Sequence, residues 1–228
     1  MTITIYHAEA RRSERVAWLL EEMGRDDYEL VFKPGDVRGS AAMFRESGHG
    51  FPMAPIVRIG DELLVESAAI LETLMNRNGD HGLRPAITAP EHAAYLEWLH
   101  FAESSAMPRI QQAIANRRLP PAETPEAQAM RDGLIPRVLT YVDNRLGAHD
   151  YLAGSRFSAA DIQMHFPLRI GVSFAPGRQI GGAKHILNPD PECYTLWPNI
   201  GAWVKRLEAR PAFQRAMAKT MPLGFPDI

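Results

Sequence analysis

Phe51-Pro52-Met53-Ala54-Pro55-Ile56-Val57-Arg58-Ile59-Gly60-Asp61-Glu62-Leu63-Leu64-Val65-Glu66-Ser67 decides how this chain folds. Pro52 and Pro55 bracket Met53 and Ala54, and a residue that precedes proline is pushed out of the helical region, so no helix crosses this point. Ile56 to Ile59 and Glu62 to Val65 are apolar, β-prone runs joined by Gly60-Asp61, a two-residue connection that predicts a tight hairpin. Beyond Glu66-Ser67, the residues Ile70, Leu71, Leu74 and Met75 recur at helical spacing, which sets the start of a helix at Ser67. A free strand edge beside Pro55 would offer the N–H and C=O of Ala54 to another backbone. A helix opening at Ser67 would aim unpaired N–H groups at a carboxylate. That order suits a small peptide-like anion, although on these residues alone a loop proline followed by an ordinary helix cap is the commoner arrangement.

On the N-terminal side, Thr2 to Tyr6 alternates with a period of two and reads as a strand, and from Ser13 the set Val16, Leu19, Leu20, Met23 defines a helix that stops at Gly24. Tyr28 to Phe32 supplies a second strand, and Pro34 to Gly50 reads as a loop with one helical turn. The resulting order, β-α-β then β-β-α, is thioredoxin-like. Residues 81–90, rich in glycine and proline, read as a linker between a domain over 1–80 and an all-helical domain over 91–228. Helices are expected at about Glu91 to Asn116 and Pro125 to Leu146, kinked or split by Pro108 and Pro136. Ser158 and Asp161 form a capping-box pattern, with Phe157 placed as a hydrophobic staple against Ile162. Gly171 to Pro191 reads as a long connection that either lines a pocket or runs over the surface.

The 228 residues are 46% apolar with a formal net charge of −2, which gives a real core and no basic footprint for nucleic acid or an anionic membrane. Charges at Glu9, Arg11 and Arg12 interrupt the N-terminus before an apolar leader develops, so a cytoplasmic protein is expected. Cys193 is the single cysteine, which excludes an intramolecular disulfide, a Cys-x-x-Cys redox centre and a cysteine zinc site. Glu97 and His100 form an isolated E-x-x-H without the partners a metal site needs, so no metal is expected. Glycine-rich phosphate loops and H-E-x-x-H are absent from the sequence.

Pro55, the hairpin and Val65-Glu-Ser-Ala-Ala-Ile-Leu-Glu-Thr-Leu74 resemble the glutathione-binding half of the glutathione transferases. "WLHFAESSAMP" (98 to 108), "SAADIQMHFPL" (158 to 168) and "RPAFQRAMAK" (210 to 219) resemble a bacterial and fungal branch of that family. The resemblance implies that Ala54 pairs with the cysteinyl backbone of glutathione, that Pro55 is cis, and that Glu66 and Ser67 hold the γ-glutamyl end. It also implies a homodimer and detoxification of small apolar electrophiles, with glutathione as cosubstrate. Met53 stands where the family often supplies a cationic contact, so Arg11 and Arg12 become candidates to hold the thiolate or the glycyl carboxylate.

Such chemistry keeps a thiol of pKa about 8.5 ionised near neutrality, a shift of roughly two units or about 3 kcal/mol. Tyr6, at the end of the first strand, matches the catalytic tyrosine of the mammalian alpha, mu and pi classes. In serine-type and cysteine-type members the corresponding residue falls at Ala10 or Arg11, neither of which can do that work. Ser13 is the nearest other hydroxyl, and His7 reads as a structural histidine. Trp98, Phe101 and Met107 are candidates for the wall of an electrophile pocket, or for core. Two other readings stay open: a glutathione-binding or protein-interaction module that lost efficient chemistry, and a specialised peroxidase, isomerase or dehalogenase on the same fold.

Overall fold

The computed structural model describes residues 2–175 and 189–224. The chain divides into two compact units, one of residues up to Arg84 together with those from Leu207 on, the other of Pro85–Arg206. The first unit is built on a four-stranded sheet of order β2-β1-β3-β4, from β1 (Ile3–Tyr6), β2 (Tyr28–Val31), β3 (Ile56–Ile59) and β4 (Glu62–Leu64). β1 runs parallel to β2 and antiparallel to β3, and β3 pairs antiparallel with β4 through a turn in which Gly60 has φ +59°. This is the thioredoxin-like arrangement expected from the sequence. Its parallel pair is bridged by α1 (Glu14–Glu22), and α3 (Ser67–Asn78) follows the hairpin. Ile3 and Ile5 of β1, Val16, Leu19 and Leu20 of α1 and Ile70, Leu71 and Leu74 of α3 are all essentially inaccessible. Each such side chain contributes about 1.5–3 kcal/mol of burial.

Residues 34–50 hold more structure than the single turn expected. Val37–Glu46 form a ten-residue helix, α2, whose N-cap Asp36 accepts a hydrogen bond from the Gly39 N–H at 2.7 Å. Its apolar side is short: Phe44 packs with Ala8 and Ile56, and Val37, Tyr6 and Ala54 close around them. Gly39 and a broken apolar period weakened the signal that a longer stripe would have given.

In the second unit, α4 (His92–Phe101) runs through a π-helical segment (Ala102–Ala106) into α5 (Met107–Asn116). The Met107 N–H bonds to the Ala102 carbonyl five residues back, and Pro108 follows directly, so the wide turn takes up the place where a proline would break an α-helical ladder. α6 (Pro125–Asp132) and α7 (Leu134–Ala148) part at Gly133, three residues before Pro136, which has no N–H for the Asp132 carbonyl. α8 (Ala159–Ser173) starts on the expected capping box and is buried along its whole length. Its Asp161 accepts from the Leu152 and Ser158 N–H groups and from Trp203 Nε1. Burial raises the Asp161 pKa against the pull of those bonds.

The connection expected from Gly171 begins later, because Gly171 lies inside α8. A Cβ there would meet Leu139 Cδ2 at 3.1 Å and Ile110 Cδ1 at 3.3 Å, so glycine admits the close approach of α5 and α7. Most of the expected connection, residues 176–188, lies outside the described residues. Pro191–Tyr194 form a 3₁₀ turn before α9 (Pro198–Glu208) and α10 (Pro211–Thr220). The sequence placed α10 in the helical domain over 91–228, whereas its packing is with the first unit. Glu21 of α1 binds Arg215 and Lys219 at 2.7 and 2.6 Å, Glu22 binds Arg210 at 2.6 Å, and Trp18 meets Phe213 edge-on. Among the described residues no helix is long and apolar enough to cross a membrane.

Candidate functional site

The extended segment ahead of β3 carries a cis Ala54–Pro55 peptide. The N–H and C=O of Ala54 make no hydrogen bond to any described residue, so this edge is open to a strand-like partner. Pro55 is buried, Ala54 half-buried, and Met53 is 55% exposed with its N–H turned to the Phe51 carbonyl. Eleven residues on from Pro55, Glu66 is exposed and held at φ +68°, a left-handed conformation uncommon outside glycine, and it leads into α3 without its own side chain capping the helix. Ser67 is buried, and its Oγ accepts from Nη1 of Arg15 at 2.9 Å. A guanidinium can only donate, so the direction of that bond is fixed. The start of α3 thus combines a helix N-terminus with a buried cation behind Ser67, both favourable to an anion.

Tyr6 faces Ile56 across the β1–β3 ladder and packs on the same small cluster as Ala54. Its ring is half-buried and its hydroxyl donates to no described residue. The chain then turns through Ala10, at φ +61°, into the start of α1. Arg11 and Arg12 are half-buried at that turn. Burial, reinforced by the neighbouring charge of Arg12, lowers the pKa of Arg11, whose Nη1 donates to the Ala10 carbonyl. Glu9 is buried, with one carboxylate oxygen accepting from the Gly35 N–H at 2.8 Å.

Ser13 cannot serve as the hydroxyl donor expected of it. It is completely buried, and its Oγ lies 2.7 Å from Nδ1 of His7. Nε2 of the same ring lies 2.8 Å from the Thr220 carbonyl, which can only accept, so Nε2 carries the ring proton and Nδ1 is the acceptor. Burial drives the His7 pKa down to about 4 against the Thr220 hydrogen bond, so the ring is neutral at pH 7 and the Ser13 proton is committed to it. Ser13 also makes no cap bond to α1, because its backbone is already helical at φ −64° and ψ −20°, whereas a capping serine is usually extended.

Residues 105–211 match the family described as glutathione S-transferase, C-terminal domain. Glutathione S-transferase 3 of Schizosaccharomyces pombe is similar, 30% identical over 230 residues that cover 95% of this chain and 87% of that protein. This chain belongs to the glutathione S-transferase family. A glutathione S-transferase from Actinobacillus pleuropneumoniae shares the fold with a TM-score of 0.78 at 23% identity, over 99% of this chain and 94% of that one. A sphingomonad glutathione S-transferase complexed with glutathione shares it with a TM-score of 0.68 at 24% identity, over 96% and 98% of the two chains.

In the helical unit of this transferase, Trp98 and Met107 are core residues, 2% and 3% exposed, which argues against a pocket-wall role for them. Trp98 stacks on Tyr141 and meets the half-buried Phe101 edge-on, and the Tyr141 hydroxyl donates to Glu97. The carboxylate at Glu97 thus holds a tyrosine. A cavity of about 370 Å³ opens instead beside Asn116, Arg117, Leu119, Arg131, Ile135 and Phe174.

His7, Glu9, Arg15 and Thr220 are residues at the glutathione half to which the sequence assigns no part in the site. A cation at Arg15, on the helical stripe of Trp18 and Leu19, was the legible sign of a buried charge. Nothing in the sequence pairs His7 with a carbonyl 213 residues away.

Proposed function

We propose that this transferase binds glutathione along residues 54–67 and joins its thiolate to small apolar electrophiles. The observation that carries the reading is the open backbone of Ala54 beside a cis proline, with the start of α3 in the same unit. Ala54 pairs with the cysteinyl backbone, and Glu66 with Ser67 receives the γ-glutamyl end. Tyr6, across the ladder from Ile56, donates its hydroxyl to the sulfur, while Arg11 and Arg12 supply positive potential at the turn. Attack by the bound thiolate forms the carbon–sulfur bond, accelerated by the lowered thiol pKa and by holding the reactants together. The enzyme acts as a homodimer, without a metal.

The test is an ultraviolet difference titration of bound glutathione against pH. A thiolate forming near neutrality, with Tyr6→Phe lowering turnover by ~10²-fold and raising the thiol pKa, supports the assignment. One observation favours a binding module instead: position 11 is arginine and the Ser13 proton is taken by His7, so that of the hydroxyls of Tyr6 and Ser13 only that of Tyr6 is still able to donate. Glutathione that binds with a free-thiol pKa would establish that second reading. No binding at all would overturn both.

A further inference from the structure

The Ser13–His7–Thr220 chain links the residue just after β1 with the residue just before α1 and, 213 residues on from His7, with the last residue of α10. All three residues are fully buried. The Thr220 carbonyl is one of the four that a helix leaves without an internal partner at its C-terminus, and the His7 N–H satisfies it. On its other side His7 holds Ser13 Oγ, and between His7 and Ser13 lies the turn that carries Ala10, Arg11 and Arg12. The ring is clamped against rotation, since Phe32 meets it edge-on with centroids 4.8 Å apart.

We infer that His7 is a positioning residue for the thiol chemistry: by accepting the Ser13 proton and donating to Thr220, it fixes the turn at residues 10–13 against α10. This inference rests on the transferase reading above. Ser13 then matters through His7 and not as a donor to sulfur. The backbone and guanidinium groups of the turn are the ones set in place, because the sequence offers no serine or cysteine at 10 or 11 to act there itself. The hydrogen-bonded chain has one consequence that independent roles would not have. Breaking it at either residue frees the same turn, so the two losses must not add.

The experiment compares His7→Phe, Ser13→Ala and the double variant by the ultraviolet titration of bound glutathione and by steady-state kinetics. Each single variant is expected to reduce the bound thiolate fraction at neutral pH about tenfold, lowering kcat with KM for glutathione within about twofold. The double variant is expected to match either single one. Additive losses, or a thiolate fraction unchanged in Ser13→Ala, would overturn the inference. His7→Phe keeps an aromatic ring in place but loses two buried bonds, so where it fails to fold, Ser13→Ala alone carries the test. If the wild-type protein binds glutathione without ionising it, the transferase reading fails. If the wild type ionises it and the variants do likewise, only the positioning role fails.

Discussion

His7 ties the chemistry of the site to the stability of the fold through one proton. Its pKa is about 4 in the folded protein and 6.5 in an unfolded chain, so between those values the unfolded chain binds more protons. Stability from the neutral ring is therefore full above pH 6.5 and is lost as pH falls toward 4, by about 3 kcal/mol in total. Urea unfolding at pH 7 and pH 4.5 checks this. The wild type should lose more stability across that interval than His7→Phe, and equal losses would assign the acid sensitivity elsewhere. Met53 allows a second residue-scale test. It is exposed beside the open Ala54 edge and offers no charge, so Met53→Lys should place an ammonium near the glycyl end of bound glutathione. An exposed pair of this kind is worth ~0.2–1 kcal/mol, so the dissociation constant should fall by up to about fivefold, and this gain should fade in high salt. An unchanged constant would show that the glycyl carboxylate lies away from residue 53.

Among the elements, α1 and α10 are tied by ion pairs and by an aromatic contact. Glu21 is 4% exposed while its partners Arg215 and Lys219 are about half in water, and Tyr28 also donates to it. Burial pushes the Glu21 pKa up, and the hydrogen bonds of Lys219, Arg215 and Tyr28 together outweigh it and hold the carboxyl below its usual range. Glu21→Gln should cost about 1–2 kcal/mol, discounted for the exposed cations, and should speed tryptic cleavage at Arg215 and Lys219. Unchanged cleavage would mean that Trp18 and Phe213 hold α10 without the carboxylate. The elements also show what local sequence can carry. The hairpin, α1, α3 and the capping box of α8 were legible because turn residues, periodicity and cap residues agree at each. α2 was not, because a few scattered apolar side chains in a glycine-containing helix look like a loop. The π segment was half legible: Pro108 announced a disturbance, but the wide turn falls in the five residues ahead of Met107, where the proline does not itself lie.

At the scale of the molecule, the sequence order and the packing divide the chain differently. The sequence divides the chain at the glycines and prolines over 81–90, and the named strands all precede that stretch, yet the last helix groups with the first unit. Its amphipathic pattern predicts a buried face without saying what buries it. The candidate site was legible in the same measure. Residues 51–67 announce themselves by short-range backbone signals, whereas the His7 chain and the Arg15–Ser67 bond depend on contacts 213 and 52 residues apart. Residues 1–84 expressed alone should therefore not fold stably. They would lose the aromatic contact of Trp18 with Phe213, the Glu21 and Glu22 ion pairs and the His7–Thr220 bond, together about 2–5 kcal/mol, a large part of the whole stability of a small domain. Circular dichroism and urea titration should show little cooperative structure in this fragment, and a peptide of residues 207–228 added in excess should restore part of it. A fragment that unfolds cooperatively without the peptide would show that α10 is an accessory to the glutathione-binding unit and not part of its core.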